Sequence, residues 1–222
     1  MKNVIYFILV SLLVFTSCKK DASNPLSPID TSQTVTYSGK VYHTVKIGNQ
    51  TWLKENLDVG VMIDSMQNPS NNGVIEKYCY GNDTANCTKY GGLYQWSEAM
   101  AYDTANGTKG ICPTGWHIST TAEFDTLAAA VYNNSNSLKA VGQGDSQYGG
   151  AGTNSSGFSA LLAGYRSYSG NFFNLGNVTL FWSSTKDPGT YAYNMYMWDS
   201  GSIISIGLGF KVYGLSIRCI KD

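Results

Sequence analysis

Four cysteines, Cys79, Cys87, Cys112 and Cys219, limit most strongly what this chain can fold into. An even number in a chain with an export leader suggests two disulfides, and four cysteines allow three pairings. Cys79 and Cys87 bracket Gly81-Asn82-Asp83, residue types that turn a chain back on itself, so these two can meet without long-range help. The remaining pair, Cys112 with Cys219, would tie the segment before a helix to the final strand. In the chain-entropy treatment so long a closure contributes roughly 4 kcal/mol or more. Zinc is the competing use of these thiols. It is disfavoured because no Cys-x-x-Cys spacing occurs and His43 and His117 are the only histidines.

The fifth cysteine, Cys18, has a different setting. Lys2 gives a positive start, and Val4 to Phe15 is apolar except for Ser11. That run is too short to span a bilayer and has the length of a signal-peptide core. It ends in Phe15-Thr16-Ser17-Cys18, which resembles a bacterial lipobox, with Phe15 where an aliphatic residue is usual. The expectation is a signal peptide over residues 1–17, acylation (palmitate among the chains) at Cys18, and a membrane partner held through that lipid. The bland alternative is an ordinary signal peptide with a chance cysteine. Stable anchoring takes more than one acyl chain, at about 0.8 kcal/mol per buried methylene. Lys19 rather than Asp follows the cysteine, which resembles lipoproteins released to the outer membrane, and Lys19-Lys20-Asp21 resembles the Lys-acidic signals that lead to surface exposure. Residues 18–36 are rich in Ser, Pro, Thr and Asp and read as a flexible tether.

The chain has fifteen basic and fifteen acidic residues, and the leader removes only Lys2, leaving fourteen against fifteen, a net charge of −1. A nucleic-acid partner, which needs a basic stripe to meet phosphates, is therefore not expected. Gly, Ser, Thr, Asn and Tyr are abundant, as in an exported, strand-rich domain with many turns. Lys40 to Ile47 alternates, with Val41, His43, Val45 and Ile47 on one face; Gly48-Asn49 turns the chain, and Gln50 to Leu53 resumes a strand. Residues 58–76 read as loop. Gly91 to Ala101 reads as a helix with Leu93, Trp96 and Met100 on one stripe. Thr120-Thr-Ala-Glu123 is a capping box opening a second helix whose apolar stripe is Phe124, Leu127, Ala128 and Val131. Gly142 to Gly157 reads as a long polar loop. Strands are expected at Phe158 to Tyr165, Val178 to Ser183, Tyr191 to Trp198, Ile203 to Leu208 and Leu215 to Ile220. Two helices followed by an antiparallel meander is an α+β layout.

Six ordered blocks carry a resemblance. They are Ile47-Gly-Asn-Gln-Thr-Trp-Leu-Lys-Glu-Asn-Leu57; Tyr78-Cys-Tyr-Gly-Asn-Asp-Thr-Ala-Asn-Cys-Thr-Lys-Tyr-Gly-Gly-Leu-Tyr94, running on to Trp96 and Met100; and Gly110-Ile-Cys-Pro-Thr-Gly-Trp-His117. The others are Gly157-Phe-Ser-Ala-Leu-Leu-Ala-Gly-Tyr-Arg166, Phe181-Trp-Ser-Ser184 and Ser216-Ile-Arg-Cys-Ile-Lys-Asp222. Together they resemble the Fibrobacter succinogenes major paralogous domain family over residues 37–222, with Ser119 departing from the family's usual Pro. The resemblance implies export and frequent lipid anchoring but brings no established activity. It also implies a C-type lectin-like fold, as in formylglycine-generating enzymes, with first and last strands paired and two flanking helices. That implication is fold analogy, a weak warrant for function.

No catalytic constellation emerges. Gly-x-Ser-x-Gly and His-Glu-x-x-His are absent, Glu98 lies at a helical position, Glu123 is engaged in capping, and His117 reads as a structural histidine. Sugar binding needs flat aromatic faces beside amide and carboxylate groups. The last third offers Tyr165, Arg166, Trp182, Tyr193, Trp198 and Asp199 as ligand-binding candidates, with Tyr168, Phe172, Phe173, Tyr191 and Tyr196 nearby. Trp182 and Trp198 could equally be core residues on strands. Trp198-Asp199-Ser200 resembles part of a lectin calcium corner, and Asn82 to Asn86 is oxygen-rich enough for calcium, though Asn and Asp are also the usual turn residues. Otherwise no cofactor or metal is expected. Asp64-Ser65-Met66, Asp83-Thr84-Ala85, Asp103-Thr104-Ala105 and Asp125-Thr126-Leu127 resemble an O-glycosylation motif of Bacteroidota-type exported proteins, making Ser65, Thr84 and Thr104 candidate acceptors. The leading expectation is a surface lipoprotein that binds an extracellular polysaccharide or protein. The alternatives are an extracellular enzyme of the formylglycine-generating or carbohydrate-active type, and a purely structural surface protein.

Overall fold

Turn chemistry sets up the first sheet. Ser38 and Gly39 both have positive φ (48° and 77°), the geometry of a tight type I′ hairpin turn, and they join β1 (Thr34–Tyr37) to β2 (Lys40–Ile47). Gly48, at φ 61°, then reverses β2 into β3 (Gln50–Leu53). The computed structural model describes residues 33–222; the leader, Cys18 and the first part of the tether lie outside the described residues. Thr34 to Thr36, read from the sequence as tether, are strand.

The first sheet runs β1-β2-β3-β12-β6, with β6 at Trp116–Ile118 and β12 at Cys219–Lys221, all antiparallel. The second runs β11-β10-β9-β7-β8: β7 Ala163–Arg166, β8 Phe172–Leu175, β9 Val178–Lys186, β10 Tyr191–Trp198 and β11 Ser205–Phe210. Its β7–β9 pair is parallel, at Gly164 opposite Thr179. A short parallel ladder, β4 (Val61–Met62) with β5 (Glu76–Lys77), closes the 58–76 loop.

Successive strand residues face opposite ways, and here both directions are buried. Leu53, Trp182 and Cys219 point into one cluster with Tyr94, Trp96 and Ile118. Their neighbours Trp52, Phe181 and Ile220 point into a second, with Phe124, Leu127 and Met195. β2 divides the same way, with Tyr42 in the first cluster and Ile47 in the second, while Val41 and His43, expected on Ile47's buried face, are exposed. In the second cluster the Trp52 ring stacks on Phe124 at 5.9 Å and meets Phe158 edge-on at 5.7 Å. Both disulfides form: Cys79 to Cys87, and Cys112 to Cys219.

The expected α+β, C-type lectin-like class does not hold. The structure is mostly β, built on two curled sheets, and helices are few. The Gly91 to Ala101 helix fails because Gly91 (φ 86°) ends an upstream helix, α1 (Thr84–Tyr90). Leu93 and Tyr94 then pair in extended form with Tyr78 and Leu215, leaving only a single turn, α2 (Trp96–Ala99). Their apolar spacing at three and four fitted a helix while the backbone took bridges to two different partners. α3 (Thr121–Ala130) forms with its reciprocal capping box, and α4 (Ser135–Leu138) is one more turn. The first and last strands do not pair: β1 lies at the edge beside β2, whereas β12 lies between β3 and β6. Leu215 and Ser216, expected in the last strand, make only isolated bridges. No described helix is long and apolar enough to cross a membrane.

Candidate functional site

The outer face of the second sheet is where the described surface gathers aromatic rings. Directly opposed residues of antiparallel strands share a face. Asn194, Tyr196 and Trp198 on β10 oppose Trp182, Leu180 and Val178 on β9, so these six form one surface. On the other side of β10, Asn194 opposes Gly207 and Ala192 opposes Gly209. With no side chains there, β11 leaves that surface bare. The space is already fitted to its neighbours: a Cβ on Gly209 would come within 3.0 Å of the Asn194 amide nitrogen, and one on Gly207 within 3.1 Å of the Tyr196 ring. Tyr165 and Tyr213, whose rings lie 5.7 Å apart, complete a groove of about 400 Å³. Among the described residues, no charged side chain lines it.

One polar atom in this groove is unsatisfied. Asn194 is only 2% exposed, and its Nδ2 donates to the Gly207 carbonyl at 3.3 Å. Its Oδ1 is buried and accepts no hydrogen bond from the described residues. A buried acceptor left empty costs about 1–3 kcal/mol. The aromatic surface continues beyond the groove. Tyr168 stacks on Tyr213 at 6.3 Å, and Phe210 sits between Tyr213 and Tyr191 at 5.5 and 4.6 Å.

The candidates named from sequence do not form one site. Tyr165 and Trp198 line the groove, and Trp198 is 45% exposed. Asp199 follows at the end of β10, where its carboxylate accepts from the Ser200 N–H. Tyr193 opposes Leu208 on the reverse face. Trp182 is fully buried, its Nε1 donating to the Tyr94 carbonyl at 2.8 Å, so it is a core anchor under the groove and not a contact surface. Arg166 is also buried. It donates to the Ser65 and Val212 carbonyls and lies over the Tyr78 ring, so it welds loops together and cannot reach a ligand. Asn194 and Tyr213 escaped the sequence reading. The Gly207-x-Gly209 spacing was the one available signal, since two glycines a strand period apart strip one face.

His117 sits between two carboxylates, with Nδ1 2.7 Å from Asp222 and Nε2 2.9 Å from Glu123. The Glu123 hydrogen bond, aided by Asp222 and opposed by burial, raises its pKa. Burial pushes the Glu123 carboxyl up, but bonds from His117 and Thr120 outweigh that and leave it lowered. Both ring nitrogens are thus engaged in joining β6, α3 and the C-terminal residue. Glu98 is buried, and desolvation raises its pKa against the bond it accepts from the Glu76 N–H.

Three of the four Asp-hydroxyl triplets turn out to be local turns, while Asp125-Thr126-Leu127 lies within α3. Asp64, Asp83 and Asp103 each accept a hydrogen bond from the backbone N–H two residues on. Thr84 and Thr104 are exposed; Ser65 is buried and therefore closed as an acceptor in the folded chain. In the oxygen-rich 82–86 segment, Asp83 caps α1 and the Asn82 side chain bonds Ser65 and Asp64, so these oxygens already have structural duties.

The Fibrobacter succinogenes major domain matches residues 45–221, and the chain belongs to that family. No curated protein and no solved structure matches the chain.

Proposed function

We propose that this member of the Fibrobacter succinogenes major domain family is a non-catalytic, lipid-anchored outer-membrane protein that faces the cell exterior and holds neutral polysaccharide in the groove of its second sheet. The observation that carries this reading is that the unpaired Asn194 Oδ1 and the exposed Trp198 belong to residues lining one groove whose described lining carries no charge. A sugar ring offers a C–H face to an aromatic plane and hydroxyls to an amide, and needs no ionic partner. Anchoring through Cys18 suits capture of a polymer at the cell surface, and the tether would hold the domain away from the membrane.

A glycan array probed with the Cys18→Ala chain tests this. Neutral glycans should bind, and Trp198→Ala should weaken binding roughly tenfold, as at a moderate interface hot spot. Asn194→Leu should lose binding with little net change in stability, because removal of an unsatisfied acceptor offsets loss of the long Nδ2 bond to Gly207. Absence of neutral-glycan binding, or full binding by Trp198→Ala, refutes the reading. The plate of Tyr168, Phe210 and Tyr213 favours a protein partner as the second reading, because exposed aromatics are enriched in protein interfaces. A pull-down partner lost on Tyr168→Ala but retained on Trp198→Ala would support that alternative.

A further inference from the structure

Away from the groove, a cavity of about 420 Å³ opens between β2, the 54–58 segment, the end of α1 and the chain near Ser159. Its wall includes Arg218, which is almost completely buried. Nε and one terminal nitrogen of Arg218 share Asn56 Oδ1 at 3.1 and 2.6 Å, and the other terminal nitrogen donates to the Leu53 and Phe158 carbonyls. These bonds employ four of the five guanidinium hydrogens, leaving one free. The plane lies over the Phe158 ring at 4.4 Å. Among the described residues no carboxylate pairs with it; burial pushes its pKa down to about 9, and the charge of Glu55 opposes that fall.

The same cavity carries Lys40, Lys54 and Lys89 against Glu55 and Asp58. Asp58 is taken by Lys40 and Lys77, and Glu55 hydrogen-bonds the His43 ring and backbone N–H. Lys54, Lys89 and Arg218 are left without an ion-pair partner among the described residues. At the rim, Ser159 holds a left-handed backbone (φ 58°), fixed by hydrogen bonds with Asn154. Such conformations are sparsely populated and cluster at binding sites.

We propose that this cavity is a second binding site, for a small organic monocarboxylate of about the size of a hexuronate sugar. The volume lies within the usual range for small-ligand pockets, roughly 300–1,000 Å³. Three unpaired cations against the single carboxylate of Glu55 leave the cavity with a surplus of positive charge, which favours an anionic ligand over a neutral one. The spare Arg218 N–H supplies a buried charge-assisted donor, and Lys54 and Lys89 supply attraction at the mouth.

The test uses the full-length lipidated chain in neutral detergent, titrated calorimetrically with sodium glucuronate and with glucose. Glucuronate should bind at one site and glucose should not bind there. Lys54→Ala combined with Lys89→Ala should weaken glucuronate binding roughly tenfold, two partly exposed charges acting together. Raising the salt concentration should weaken it in the same direction. Arg218→Lys should abolish it; if that variant fails to fold, the lysine pair, which lies at the surface, still decides the matter. Trp198→Ala should leave glucuronate binding unchanged, which separates this site from the groove. Glucuronate binding no tighter than glucose, full affinity in the double lysine variant, or loss of binding on Trp198→Ala would each overturn the proposal.

Discussion

Removing the two disulfides separately, as Cys79→Ala with Cys87→Ala and as Cys112→Ala with Cys219→Ala, should give unequal losses of stability. The two bridges span 8 and 107 residues. The chain-entropy relation gives about 2.5 kcal/mol for the short closure and about 4.8 kcal/mol for the long one at 25 °C. Packing does not blur this comparison, because all four cysteines are buried and each pair loses two sulfurs from the interior. The loops lie in series along the chain, so the two losses should add. In urea titrations of the described domain the long-bridge variant should lose about 2 kcal/mol more than the short-bridge variant. Against a typical total of roughly 5–15 kcal/mol, that loss can leave the domain marginal at 37 °C. On a thermal scan the shifts should be roughly 5–10 °C and 10–20 °C. A short-bridge variant as unstable as the long-bridge variant, or more so, would refute the reasoning. It would mean that Cys79–Cys87 works by holding Tyr78 and α1 in the native state and not by restricting the unfolded chain.

The His117 bridge predicts a pH dependence. Its folded pKa is raised above the usual 6.5, so its stabilisation is complete below about pH 6.5 and is lost as pH rises through the folded value. Glu123, lowered from its ordinary 4.5, contributes above about that pH and loses its contribution as pH falls through the folded value. Stability from this pair should therefore peak between about pH 4.5 and 6.5, and His117→Gln should flatten the decline above pH 6.5 in urea titrations. Trp182→Ala should destabilise the domain by about 3–5 kcal/mol, while Trp198→Ala should change stability far less; equal losses in unfolding experiments would mean that Trp198 is also a core residue. Cys18→Ala should abolish palmitate incorporation and membrane association; equal radiolabelling of both chains would sink the lipid-anchor reading.

Local signals in the sequence translated well. The capping box of α3, the turn at Gly48 after β2 and the run from Tyr191 to Trp198 all lie where spacing and turn chemistry placed them, whereas the Ser38-Gly39 turn and β1 before it were not anticipated. What failed was the inference from spacing to helix in Gly91 to Ala101. A segment buried on all sides, as Leu93, Tyr94, Trp96 and Met100 are, has no polar face from which a period can be read. The fold class failed with it, since removing that helix and replacing it by bridges to Tyr78 and Leu215 shifts the balance toward strands. The buried cations were equally hidden. Arg166, Arg218 and Lys139 all end on backbone carbonyls from distant segments, partners that sequence reading cannot anticipate.

Why Trp182 is core while Trp198 is surface follows from where the covering layer stops. Both tryptophans stand on the same face of the second sheet, because Asn194 opposes Trp182 and Trp198 opposes Val178. At the Trp182 end, the Tyr94 to Trp96 segment crosses that face: Tyr94 accepts the Trp182 indole N–H, and Trp96 Nε1 donates to the Ser183 carbonyl. Towards Tyr196 and Trp198 the groove opens, and the glycines of β11 keep its floor low. Composition and alternation are the same at both ends of this surface, so neither could assign the roles. The decisive quantity is the reach of a segment from another part of the chain, and Asn194 sits at the boundary, with one amide end satisfied by Gly207 and the other left empty in the groove.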